Sequence, residues 1–278
     1  GNDLVRHIVV ADTHDNLLFF TISGKVYSLK CYEIPEDSSR TTKGIALVNL
    51  LPVDLKDEVT ALLAVSAFPA DMSLLMVTLR GVTKRTSLGK FASVRRNGLI
   101  AMGLKNGDKL VSARIVAGED EVILISQKGQ AMRFRVESLR YASRTSGGVR
   151  GIRLVDDCVI GVAVISSEAK QIEGAYMIMV TQNGFGKLTP IKNYPIHNRG
   201  GRGVRTYRVG EKTGQITAAK LVKKDNKYLV MLSAKGNVVC IPMEQISIQG
   251  RNSRGVHLMM LAEGDSVVSF ASSDLPAT

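Results

Sequence analysis

At 278 residues, 45% of them hydrophobic, the chain is large and apolar enough to bury a core, which excludes a disordered class. No apolar run approaches the ~18 residues of a membrane-spanning helix. Gly1-Asn2-Asp3 opens no signal peptide, and the start reads as a position inside a longer protein. Lys and Arg number 37 against 25 Asp and Glu, a formal charge of +12 that points to an anionic partner, nucleic acid first and an acidic membrane surface second.

The first predicted element is a hairpin, Phe20-Thr21-Ile22-Ser23-Gly24-Lys25-Val26-Tyr27. Two runs suited to strands meet at a glycine that can supply a positive φ. The same signal returns over 77–84, 125–132, 180–187 and 232–239, with Gly81, Gly129, Gly184 and Gly236 at the turns. About twenty residues behind each hairpin glycine comes a second landmark, a glycine followed by an aliphatic residue: Lys43-Gly44-Ile45, Asn97-Gly98-Leu99, Arg150-Gly151-Ile152, Arg202-Gly203-Val204 and Arg254-Gly255-Val256. The steps between these glycines are 54, 53, 52 and 52 residues. A third landmark, an acidic or polar turn into an apolar strand, occurs six times: Asp3-Leu4-Val5, Asp57-Glu58-Val59, Asp108-Lys109-Leu110, Asp157-Cys158-Val159, Gly214-Gln215-Ile216 and Asp265-Ser266-Val267.

These periods predict an all-β fold, a propeller-like array of four-stranded antiparallel blades. The expected repeats run approximately over 3–56, 57–107, 108–156, 157–213 and 214–262 of a single domain, with a closing strand in 263–278 that has no hairpin of its own. No amphipathic helix beyond a turn or two is expected. Arg133 and Arg135 alternate with Met132, Phe134 and Val136, which places bases on one strand face and apolar residues on the other.

Charge follows the repeat. Five windows, 24–50, 80–105, 128–155, 184–209 and 235–258, hold 27 of the Lys and Arg and 5 of the Asp and Glu, so they carry +22 and the remainder −10. A charge fixed at one phase of a blade repeat becomes a basic stripe, the surface able to bend a line of phosphates. Arg beside Gly and Ser/Thr suits phosphate contact, because guanidinium donors reach oxygens and glycine lets backbone amides approach. The DNA-binding candidates are Arg40, Lys43, Lys84, Arg85, Arg95, Arg96, Arg133, Arg135, Arg144, Arg150, Lys187, Arg199, Gly200, Gly201, Arg202, Arg205, Arg251 and Arg254. No helix-turn-helix pattern is present, so base reading is not expected.

No catalytic or metal-ligand pattern stands out. Cys31, Cys158 and Cys240 are far apart, odd in number and outside any C-x-x-C, and are expected as buried free thiols in a reducing cytoplasm. His7, His14, His197 and His257 lack ligand spacing. Gly184-Phe185-Gly186-Lys187-Leu188-Thr189 fails as a phosphate loop, because Leu188 stands where Ser or Thr is needed and Thr181 where the first glycine is needed.

Several segments resemble one family closely. Ile8-Val9-Val10-Ala11-Asp12-Thr13-His14-Asp15-Asn16-Leu17-Leu18-Phe19-Phe20, Gly24-Lys25-Val26-Tyr27, Tyr32-Glu33-Ile34-Pro35-Glu36 and Val48-Asn49-Leu50-Leu51-Pro52 are similar to the C-terminal DNA-wrapping domain of the larger, DNA-cleaving polypeptide of bacterial DNA gyrase, gyrase A. The likeness runs to about Ala271 and is most specific over 11–52. It implies a β-pinwheel whose blades exchange strands, a positive DNA wrap that lets strand passage yield negative supercoils, and no active site in this chain. By the same resemblance, the partners are duplex DNA, the breakage-reunion domain of the same polypeptide and the gyrase B polypeptide. ATP and magnesium are used elsewhere in that assembly, no cofactor is expected here, and the location is the cytoplasm at the nucleoid. The family's signature box (Gln, base, Arg-Gly-Gly, base, Gly) is absent. Its nearest relative is His197-Asn198-Arg199-Gly200-Gly201-Arg202-Gly203. Five hairpins stand where the family commonly has six blades, which fits a first blade lying before residue 1. The corresponding domain of topoisomerase IV, and a propeller serving as a protein-interaction scaffold, are the alternatives; the charge segregation argues against the scaffold.

Overall fold

The computed structural model describes residues 7, 9–36, 44–167, 174–223 and 227–273. In chain order the strands are β1 (Asn16–Thr21), β2 (Lys25–Lys30), β3 (Val59–Val65), β4 (Ser73–Thr78), β5 (Val82–Ser87), β6 (Leu99–Ile100), β7 (Leu110–Val116), β8 (Glu121–Ser126) and β9 (Gln130–Arg135). They continue with β10 (Val149–Arg150), β11 (Val159–Ile165), β12 (Ala175–Thr181), β13 (Phe185–Pro190), β14 (Val204–Arg205), β15 (Ile216–Lys223), β16 (Tyr228–Ser233), β17 (Val238–Pro242), β18 (Val256–His257) and β19 (Val267–Ser273). The named helical pieces among the described residues are 3-10 turns of three or four residues.

One rule assembles the sheets. Each hairpin takes the strand that follows it in sequence on its first-strand side. On its second-strand side it takes a two-residue strand from the next repeat. The orders are β3-β1-β2-β6, β10-β5-β4-β7, β11-β8-β9-β14 and β15-β12-β13-β18. The second landmark is thus a strand given to the preceding sheet, the exchange that the family resemblance implies. The fifth sheet, β17-β16-β19, has three strands among the described residues and not the expected four. The closing strand is β19, and it does belong to a hairpin: it pairs with β16. In the third copy the exchanged strand is β10, so its glycine is Gly148 and not Gly151. A Cβ on Gly148 would stand 2.3 Å from the Thr83 carbonyl oxygen, which leaves glycine as the residue that fits.

The residues divide into two compact units, 1–118 with 139–149, and 119–138 with 150–278. In the first, Leu18 and Phe20 join one apolar cluster with Leu74, Met76 and Phe91, while the alternate residues Leu17 and Phe19 join another with Tyr27 and Leu51. In the second unit Met177 and Met179 pack with Ile123, Tyr194 and Tyr207, whereas Ile178 and Val180 pack with Leu229, Met231 and Phe270. Period-two alternation therefore feeds two buried faces. This is why β4 and β8 read as continuous apolar runs and are buried at every residue.

The third-landmark acids have a local structural task. Asp57 accepts from the Ser23 amide, Asp108 from Arg80, Asp157 from Lys128 and Asp265 from Lys235, each at the turn of a hairpin. The turn is closed from inside by Oγ of Thr78, Ser126, Thr181 or Ser233, which accepts from the residue four places on. These acidic residues outside the basic windows are thus engaged in capping turn amides. Cys31, Cys158 and Cys240 are free thiols, but half-buried and not buried as expected.

Candidate nucleic-acid interface

The exchanged strands carry the basic residues. Each is entered through a loop: Arg95 and Arg96 precede β6, Arg144 precedes β10, Arg199 to Arg202 precede β14, and Arg251 and Arg254 precede β18. Arg150 and Arg205 end β10 and β14. The loops are held by backbone contacts to the sheet beneath. Gly203 leads into β14 at φ +72, and a Cβ there would stand 2.1 Å from the Ala131 carbonyl oxygen. Gly255 meets Gly186 in the same way at 2.5 Å. In the box-like segment the Gly200 amide donates to Gly151, and Gly201 accepts from Arg153.

Exposure sorts the candidates. Arg95, Arg135, Arg150, Arg202, Arg205, Arg254 and Gly201 are exposed. Arg96 is exposed and paired at 2.7 Å with Glu33, whose carboxyl is lowered by the Lys30 amide and by Arg96. Arg144, Arg199, Arg251 and Gly200 are half-buried. Arg199 donates to the carbonyls of Ser138 and Arg150, and Arg251 to that of Arg205. These bonds fix the side-chain stems and leave guanidinium donors over. Arg40 and Lys43 lie outside the described residues.

Four candidates do not face solvent. Lys84 is 1% exposed, and its ammonium donates to the carbonyls of Ala101, Ser143, Arg144 and Ser146. Lys187 is fully buried and donates to the carbonyls of Gly250, Arg251 and Ser253 and to Ser253 Oγ. Burial pushes Lys84 down to about 8 and Lys187 to about 7, with Arg144 and Arg251 adding to the shifts. Arg85 is bound by Ser73 Oγ and the Tyr141 hydroxyl and lies 4.3 Å from the Tyr141 ring centroid. Arg133 pairs with Glu121 at 2.6 Å and donates to the carbonyls of Ile191 and Tyr194. Its neighbours Met132, Phe134 and Val136 are buried as expected. These four cations hold the next turn or loop and present no donor to a phosphate. Conversely, exposed Lys90, Arg140 and Lys192, in or just after the 3-10 turn behind β5, β9 and β13, are absent from the candidates. Their shared place after the second hairpin strand was the available signal.

Among the described residues no group of three or more His, Cys, Asp or Glu could hold a metal ion. The family described as "DNA gyrase C-terminal domain, beta-propeller" matches five times, over 15–66, 73–117, 120–166, 175–223 and 227–274. The chain belongs to this family. Each gyrase-domain match begins just before a hairpin and ends at the strand that follows it, so the family unit coincides with the structural one. The gyrase A polypeptide of Dehalogenimonas lykanthroporepellens is 42% identical over 276 residues, 97% of this chain and 33% of that protein. The gyrase A polypeptide of Escherichia coli is 38% identical over 268 residues, 96% of this chain and 30% of that protein. The chain thus spans about a third of the length of these relatives. A solved DNA gyrase A C-terminal domain superposes with a TM-score of 0.77 at 26% identity, covering 94% of this chain and 83% of that one. The C-terminal domain of a DNA topoisomerase IV gives 0.83 at 24% identity over 94% and 79%, a likeness of fold.

Proposed function

We propose that this chain binds duplex DNA without reading its sequence and bends it along the basic loops, as the wrapping module of a gyrase. The observation that carries this reading is the recurrence of an exposed or half-buried arginine loop at the entry of β6, β10, β14 and β18, while the acids are engaged at hairpin turns. Guanidinium groups and glycine-flanked amides are donors for phosphate oxygens, and none of them is shaped to read base edges. Bending a site by 40–90° costs about 1–6 kcal/mol, which several phosphate contacts can offset.

In this reading the wrap is positive, and the breakage-reunion domain and the gyrase B polypeptide, with ATP and magnesium, perform strand passage on it in the cytoplasm. The chain itself carries no reacting group. The test is to relax a plasmid with a nicking-closing topoisomerase in its presence, without ATP or metal. A positive linking difference that grows with protein is expected. Binding without any trapped linking difference would overturn the wrapping role and leave simple DNA binding.

A further inference from the structure

The third residue after each hairpin glycine is Tyr27, Lys84, Met132, Lys187 or Val239, so one phase of the repeat holds an apolar residue in three copies and a lysine in two. Both lysines are buried, and both aim their ammonium at the backbone of an arginine loop: Lys84 at 143–146, which carries Arg144, and Lys187 at 250–253, which carries Arg251. An ammonium has three donors, and each lysine faces four oxygens, none of them a carboxylate. Such charge-assisted bonds fix carbonyl directions, and through them the directions of the adjoining side chains. Where Met132 stands, the loop above is held differently, by the Gly200 and Arg153 amides and by the Arg199 guanidinium.

We propose that Lys84 and Lys187 are positioning residues for DNA binding, internal clamps that preset two of the arginine loops without touching DNA. This rests on the reading that those loops meet phosphates. Lys187 also lies 4.9 Å from the Tyr207 ring centroid, an aromatic wall that keeps the ammonium on its oxygens.

The test is a double-mutant cycle, read as duplex affinity at one salt concentration. Lys187→Met is compared with Arg251→Ala/Arg254→Ala and with the combination. Met is the residue that the fold already accepts at position 132. Lys187→Met should weaken binding about fivefold, the equivalent of one lost charge-assisted bond. In the arginine-free background it should add less than about twofold, since the lysine acts through those arginines. Lys187→Arg, which keeps a cation and its donors, should recover most of the loss. Equal effects in both backgrounds, or none in either, would overturn the clamp. Arginine substitutions that cost no affinity would overturn the loop reading itself.

If Lys187→Met does not fold, Lys84→Met against Arg144→Ala asks the same question in the other unit. On the unmodified chain, the 15N–1H signal of the Lys187 ammonium at pH 6 should shift when duplex is added. An unmoved signal would speak against the coupling.

Discussion

Gly203 lies against Ala131 so closely that a Cβ on the glycine would stand 2.1 Å from the alanine's carbonyl oxygen. This contact seats β14 on the edge of β9 and brings the arginines of 199–202 with it. Gly236 also has a positive φ, +87, but nothing lies within 4 Å of its Cβ position. Gly203→Ala should therefore cost about 2–4 kcal/mol, for backbone strain and the clash together, and Gly236→Ala about 1 kcal/mol for strain alone. Urea denaturation of the two variants measures the difference, and equal costs would count against a packed strand exchange.

Buried and exposed arginines should separate cleanly. Arg133→Ala removes the cation from a Glu121 that is 4% exposed and should cost about 3 kcal/mol of stability. Arg202→Ala, at an exposed position, should change stability by less than about 0.5 kcal/mol while weakening duplex binding. Melting curves and binding isotherms on both variants check this double dissociation.

Reversing charge in the box-like loop should be blind to sequence. Arg199→Glu with Arg202→Glu is expected to weaken binding to unrelated duplexes by the same factor, because phosphates are common to all of them. A factor that differs about tenfold between duplexes of equal length would mean that base edges are being read.

Stability should rise with pH above neutrality. Burial holds Lys187 at about 7 and Lys84 at about 8, against 10.5 for a free lysine. Above about pH 7 the unfolded chain therefore binds more protons than the folded one, and unfolding free energy increases until the unfolded lysines also titrate. Below about pH 7 both states hold the protons, and this dependence fades. Urea midpoints from about pH 6 to about pH 9.5 test it. The rise should be smaller in Lys187→Met, and a wild-type midpoint that falls over this range, with the fall lost in the variant, would contradict the assignment.

Much of the architecture was legible because its signals are local. Hairpin glycines such as Gly24 and Gly129 need a positive φ, 81° and 89°, and a glycine is visible in any sequence. The entry glycines were visible for the same reason, except in the third copy. There Gly148 does not need a positive φ but close approach to Thr83, and Arg150-Gly151-Ile152 imitates the pattern three residues later. The site was less legible. A count of charge along the chain does not show which way a side chain points, so Lys84 and Lys187 were counted with Arg202 and Arg254. Tyr27, Met132 and Val239 at their phase of the repeat were the clue that this position faces inward. Arg133 was misplaced for a different reason: strand alternation set it apart from Met132 and Phe134, but its partner Glu121 sits on the neighbouring strand.

The most direct test of the account is the salt dependence of duplex affinity. If the arginine loops neutralise about 6 phosphates, the logarithm of the association constant should fall against the logarithm of salt with a slope near about −5, alike for duplexes of different sequence. A slope near zero, or a strong preference for one sequence at constant salt, would contradict it.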